Sequence, residues 1–120
     1  MNNTIVFVKV LDAFMEYLQD EFPEFSGELS IYSGLLYLAK STNLQGVMSA
    51  FNSVLTPYSE YIYECNEDFF LKNSFDSVSN ESVNILISKI KMIWTSDKIT
   101  PNKKAHIWLY VRKLLKYSKN

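Results

Sequence analysis

The chain is poor in the residues that build most enzyme centres and covalent scaffolds. Its 120 residues include one cysteine and one histidine. A disulfide within the chain is therefore excluded, and a closed zinc site, which takes four nitrogen or sulfur ligands, cannot be assembled from Cys65 and His106. Glycine and proline number three each, far too few for a collagen-like or low-complexity chain. Gly27, Gly34 and Gly46 lie far apart, and none opens the strand, loop and helix signature that cradles a phosphate or a dinucleotide. Arginine occurs once, at Arg112, which leaves little for bidentate reading of base edges. The opening Met1-Asn2-Asn3-Thr4 carries no basic cluster, and the apolar run Ile5 to Val8 stops at Lys9. The sequence thus predicts neither a signal peptide nor a membrane span, and no membrane partner. An unpaired cysteine agrees with an intracellular, cytoplasmic setting.

What is abundant is apolar and aromatic. At 48% apolar and 15% aromatic content, one domain of this length buries roughly two thirds of the surface its open chain exposes. Disorder is excluded on that ground.

The period is helical throughout. Phe7, Val10, Leu11, Phe14, Met15, Leu18 and Phe22 recur at three and four after Thr4, the expected N-cap, with Lys9, Asp12, Glu16 and Asp20 opposite. Phe22-Pro23 and Gly27 end that segment. A second helix is expected over Glu28 to Lys40, with Leu29, Tyr32, Leu35, Leu36 and Ala39 inward and Gly34 marking a close helix crossing. Asn43 caps a third, ending near Leu55. Thr56-Pro57 reads as an N-cap with proline at the first helical position, starting a short segment Tyr58 to Glu64. Asn66 caps a single turn bearing Phe69 and Phe70, and Asn73, Ser74, Ser77, Ser79 and Asn80 read as a polar loop. The next helix, opened by Ser79 or Asn80, has apolar residues on both sides (Val83, Leu86, Ile87, Ile90 and Trp94 against Ile85 and Met92), the pattern of a surrounded helix. Thr100-Pro101 starts the last helix, with Ile107, Tyr110, Val111, Leu114 and Leu115 inward and Arg112, Lys116 and Lys119 projecting away. No strand alternation appears. The expectation is one all-α domain over residues 1–120, five or six short helices in an orthogonal array or bundle.

A net charge of −1 conceals a split. Residues 1–88 hold twelve acidic and three basic side chains, whereas residues 89–120 hold nine basic side chains and only Asp97. Such a chain either offers a basic end to an anionic partner or pairs its two parts within one fold, and in so small a domain the second is expected.

The functional readings follow from these inventories. Glu60, Glu64, Glu67 and Asp68 cluster, and Glu60, Glu64 and Asp68 would share a face if a helix ran on through Cys65, but the calcium-loop and di-iron patterns are missing. No metal or other cofactor is assigned, and the cluster reads as an acidic turn facing the basic last helix. Cys65 with His106 is the one pair able to serve a cryptic hydrolase, without an elbow or oxyanion hole to support it. The chain is read as a non-enzyme. Its acidic face (Asp12, Glu16, Asp20) and the turn Glu67, Asp68, Phe69 and Phe70 are candidate contacts for a protein partner, or for a second copy in a homodimer. The alternative is nonspecific nucleic-acid binding by Lys103, Lys104, Trp108, Arg112, Lys113, Lys116 and Lys119, where cations neutralise phosphates and rings stack on bases. Trp94 and Tyr110 fall on inward stripes, which leaves Trp108 and Tyr117 as the surface rings.

Asn43 with Val47 and Phe51, Pro57-Tyr58, Ile62, Asp68-Phe69-Phe70, Ile93-Trp94 and Ile107-Trp108 form a pattern over residues 29–115. It resembles short all-helical proteins of large DNA viruses of protists and algae, and eleven lysines against one arginine match the AT-rich coding of such a source. The resemblance implies a virion component or infection-stage accessory protein and carries no catalytic residue.

Overall fold

A computed structural model of the chain describes residues 3–75 and 80–119. Six α-helices account for most of them: α1 Asn3–Glu21, α2 Ser26–Leu55, α3 Ser59–Tyr63, α4 Glu67–Lys72, α5 Glu81–Trp94 and α6 Pro101–Tyr117. No strand occurs among the described residues. The Cα radius of gyration is 13.5 Å, about that of a single compact domain of this length. Among the described residues no helix is long and apolar enough to cross a membrane.

Helix α1 is the axis of the core. Phe7, Leu11, Phe14 and Leu18 are fully buried, and the helix packs against both α6 and α2. Phe7 meets Phe51 edge-on at 5.6 Å, and Phe14 stacks on Tyr110 at 5.1 Å. Asn3, the first described residue, is already helical, so Thr4 lies inside the helix and not at its cap. A single 3-10 turn over Pro23–Phe25 leads into α2.

The two helices expected before and after Asn43 are both present, and they meet at a kink with no loop between them. Asn43 leaves helical geometry (φ −156°, ψ 72°) and its side-chain Oδ1 accepts the Gly46 N–H at 3.0 Å, so it caps the second limb as expected. Asn66, Asn80 and Thr100 also cap, accepting the backbone N–H groups of Phe69, Val83 and Lys103. Thr56 does not. Its own backbone is helical, and the chain passes through a 3-10 turn over Thr56–Tyr58 into α3.

Cys65 and Phe75 adopt positive φ, 54° and 56°. The left-handed turn at Cys65 breaks the chain between α3 and α4, so Glu60, Glu64 and Asp68 do not ride on one continuous helix. Helix α5 is not surrounded either: Val83, Leu86, Ile90, Ile93 and Trp94 are buried, but Met92 is 42% exposed and Ser88 faces solvent. Ser77 and Ser79 of the expected polar loop lie outside the described residues.

Candidate functional site

The first limb of α2 has two dissimilar faces. Leu29, Tyr32 and Leu36, at helical spacing, are buried, and the Tyr32 hydroxyl donates to the Ser82 carbonyl of α5 at 2.8 Å. Ile31, Leu35 and Leu38 share the opposite face and are 70%, 57% and 61% exposed, and Tyr37, 66% exposed, lies on the flank beside α1. Leu35 was expected inward. The cause is geometric: Leu35-Leu36-Tyr37-Leu38-Ala39 is apolar all round, so only one of two phases can meet the core, and the tyrosine hydrogen bond accompanies the phase containing Leu36.

Charge is absent from this outward face. Between residues 26 and 42 the charged side chains are Glu28 and Lys40, and each turns back to its own domain. Glu28 pairs with Lys89 of α5 at 3.0 Å, and Lys40 with Asp12 of α1. A groove lined by Val8, Asp12, Glu16, Tyr37 and Lys40 joins the apolar face to the acidic side of α1. Asp12, Glu16 and Asp20 are all exposed there.

The other predicted contacts form a different cluster. Glu67 accepts hydrogen bonds from the Trp94 indole N–H and Lys104 Nζ, both at 2.5 Å. Those bonds, Lys104 first, hold its carboxyl below the usual carboxylate range. Asp68 is exposed. Phe69 and Phe70 are both half-buried: Phe69 stacks on Tyr61 at 3.8 Å, and Phe70 meets Trp94 and Trp108 edge-on. They line a wholly apolar cavity of about 80 Å³, whose walls also include Phe14 of α1, Phe51, Val54 and Leu55 of α2, and side chains of α3, α5 and α6. An apolar cavity of roughly 150 Å³ admits benzene. This one is about half that size and is packing space beneath α4.

The seven-residue cationic surface is not assembled as a unit. Trp108 packs inward against Trp94 at 5.6 Å, and Tyr117 packs on the core, so neither is the free stacking ring that helical spacing indicated. Arg112 is half-buried with its Nε enclosed, and so does not project. Lys104 is held by Glu67, and Lys103 lies over the Phe22 ring at 5.0 Å. Lys113, Lys116 and Lys119 are exposed. Two of the three ion pairs among the described residues, Lys89 to Glu28 and Lys104 to Glu67, join the basic part of the chain to the acidic part.

No hydrogen bond joins Cys65 to His106. Cys65 sits half-buried at the α3–α4 joint, and the exposed His106 lies edge-on to Tyr17. Among the described residues no three His, Cys, Asp or Glu side chains converge to hold a metal ion. No family model, curated protein or solved structure matches the chain.

Proposed function

We propose that this chain is a non-enzymatic interaction domain, a structural or accessory protein that docks a protein partner through the outward face of α2. The observation that carries the reading is the group Ile31, Leu35, Tyr37 and Leu38, four large apolar side chains each more than half exposed on one charge-free helical limb. A patch of that kind, on the order of 500 Å², matches the largest found on a typical monomer and marks contact sites. The acidic groove beside Tyr37 supplies the polar rim. It also disfavours a bilayer, because Asp12, Glu16 and Asp20 are repelled by anionic headgroups. The likeness to helical proteins of large DNA viruses fits such an accessory role.

A photoreactive residue in place of Leu38 tests this in cells. The expected result is a covalent adduct with a protein, lost when Leu35→Glu is added. Absence of any adduct above that of the same probe at Lys113 overturns the reading.

The nucleic-acid reading retains Lys113, Lys116 and Lys119. Three phosphate contacts give a log–log salt slope near −3, against about −5 if Lys103, Lys104 and Arg112 joined them. Binding of fluorescent DNA and RNA at several salt concentrations separates the two, and silence at low salt removes both.

A further inference from the structure

We infer that the apolar cavity beneath α4 is a binding site for an amphiphile with one carboxylate head and an apolar tail, and that α4 is the strap that lifts to admit it.

The backbone is jointed on both sides of α4. Cys65 stands before the helix and Phe75 after it, and these two are the non-glycine residues at positive φ among the described residues. The left-handed region is unfavourable for a residue with a Cβ, so rotation at either joint relieves strain. Between the joints α4 is lightly held. None of its residues is fully buried, and its backbone packs less closely on the other helices than they do on one another. Such a segment opens before the rest of a domain does.

Two lysines latch it. Lys104 Nζ meets the Glu67 carboxylate at 2.5 Å at the start of α4, and Lys91 Nζ donates to the Asn73 carbonyl just past its end. Each ammonium also lies over a ring that lines the cavity: Lys104 Nζ is 5.7 Å from the centre of the Trp94 ring, and Lys91 Nζ is 4.9 Å from that of Phe75. Lifting α4 therefore has two effects at one place. It withdraws Phe69 and Phe70 from the wall, which adds room to a cavity of about 80 Å³. It also takes Glu67 from the Lys104 ammonium and the Trp94 indole N–H, and Asn73 from Lys91, and so leaves three donors at the mouth.

The lining and the mouth together set the class of ligand. Because the lining is wholly apolar, the part of a ligand buried there carries no polar group. At the mouth the group that leaves is a carboxylate, and two cations beside an N–H suit another one. Glu67 and Phe70 lie one turn apart on α4 and already fill both positions, a carboxylate on the donors and a ring in the wall. The strap is thus an internal stand-in that competes with the ligand, and the apparent affinity is lowered by the fraction of molecules in which it is seated.

Titration of the full chain with decanoate and with decanol, each to about 0.1 mM, tests this. Trp94 and Trp108 are the chain's two tryptophans and both line the cavity, so their fluorescence reports its occupancy. Decanoate is expected to bind one to one with a dissociation constant on the order of 10 µM, about fivefold tighter than decanol. Magnetisation transfer from its tail is expected at Phe70, Trp94 and Trp108. Glu67→Gln is expected to keep the helical circular dichroism, to speed amide exchange in α4 but not in α1, and to tighten decanoate binding about fivefold. Lys104→Gln, which removes a donor for the head, is expected to cut the preference for decanoate over decanol. Absence of saturable binding overturns the inference, as do equal affinities for the two ligands or an affinity unchanged by Glu67→Gln. Tail contacts on the exposed Ile31, Leu35 and Leu38 of α2 in place of the cavity overturn it too, and so does amide exchange in α4 as slow as in α1.

Discussion

Glu67 on α4 and Lys104 on α6 meet at 2.5 Å, and the same carboxylate oxygen takes the Trp94 indole N–H. Three segments are thereby joined at one atom: the short helix that carries Phe69 and Phe70, the end of α5 and the start of α6. Because the folded pKa of Glu67 lies below its ordinary 4.5, its stabilisation is present above pH 4.5. It is lost as pH falls from there through the folded value. Glu67→Gln is expected to lower the thermal midpoint slightly at pH 7, since a pair this exposed contributes no more than about 1 kcal/mol. The difference from the native chain is expected to shrink as melting curves are recorded at successively lower pH below 4.5.

Trp108 belongs to the fold and not to a stacking surface. Its half-buried ring contacts Phe70 and Trp94, so Trp108→Ala is expected to lower the unfolding free energy in urea by roughly 2 kcal/mol, less than the loss of a fully buried aromatic. Lys113→Ala, on the exposed side of the same helix, is expected to change it by less than about 0.5 kcal/mol. Equal small effects would return Trp108 to the surface.

Cap residues were the most legible part of the sequence, because a side chain that accepts a nearby backbone N–H acts locally. Asn43, Asn66, Asn80 and Thr100 all do so. Thr56 does not, because Leu55 and Thr56 themselves keep helical geometry and the helix runs straight into the 3-10 turn. Which face of α2 turns inward was not local information. Tertiary contacts choose between the Leu36 phase and the Leu35 phase, and the exposed patch was hidden in that choice. The charge split foretold that basic and acidic parts would meet, yet the pairing of Lys104 with Glu67 depends on the turn at Cys65, a left-handed residue with no glycine to announce it. The pattern of exposed lysines was half legible: Lys113, Lys116 and Lys119 project, whereas Arg112 lies too close to the inner stripe to stay in solvent.

Tyr32 joins α2 to α5 through its hydroxyl on the Ser82 carbonyl. Tyr32→Phe is expected to lose about 1 kcal/mol at neutral pH. Burial pushes the phenol well above its ordinary value of 10, so the stability it supplies is complete below pH 10 and is lost as pH rises beyond it, where the unfolded chain ionises first. The native chain is expected to lose more stability than Tyr32→Phe between pH 9 and pH 11, measured by urea unfolding at each pH.

Two glycines of α2 are expected to respond oppositely to the same substitution. At Gly34 the space for a methyl group is open, so Gly34→Ala stabilises the chain by about 1 kcal/mol through helix propensity. At Gly46 a Cβ would lie 2.4 Å from Asn43 Nδ2. The Asn43 side chain would have to swing away, and the cap it makes to the Gly46 N–H would go with it. A lost Asn cap costs about 1 kcal/mol, which offsets the propensity gain, so Gly46→Ala is expected to be neutral or destabilising. With Asn43→Ala already in place the obstacle is absent, and Gly46→Ala is then expected to stabilise by about the full propensity difference. A double-mutant cycle followed by thermal unfolding reads the coupling directly. Additive effects at positions 43 and 46 would mean that the bend in α2 is held by something other than this cap.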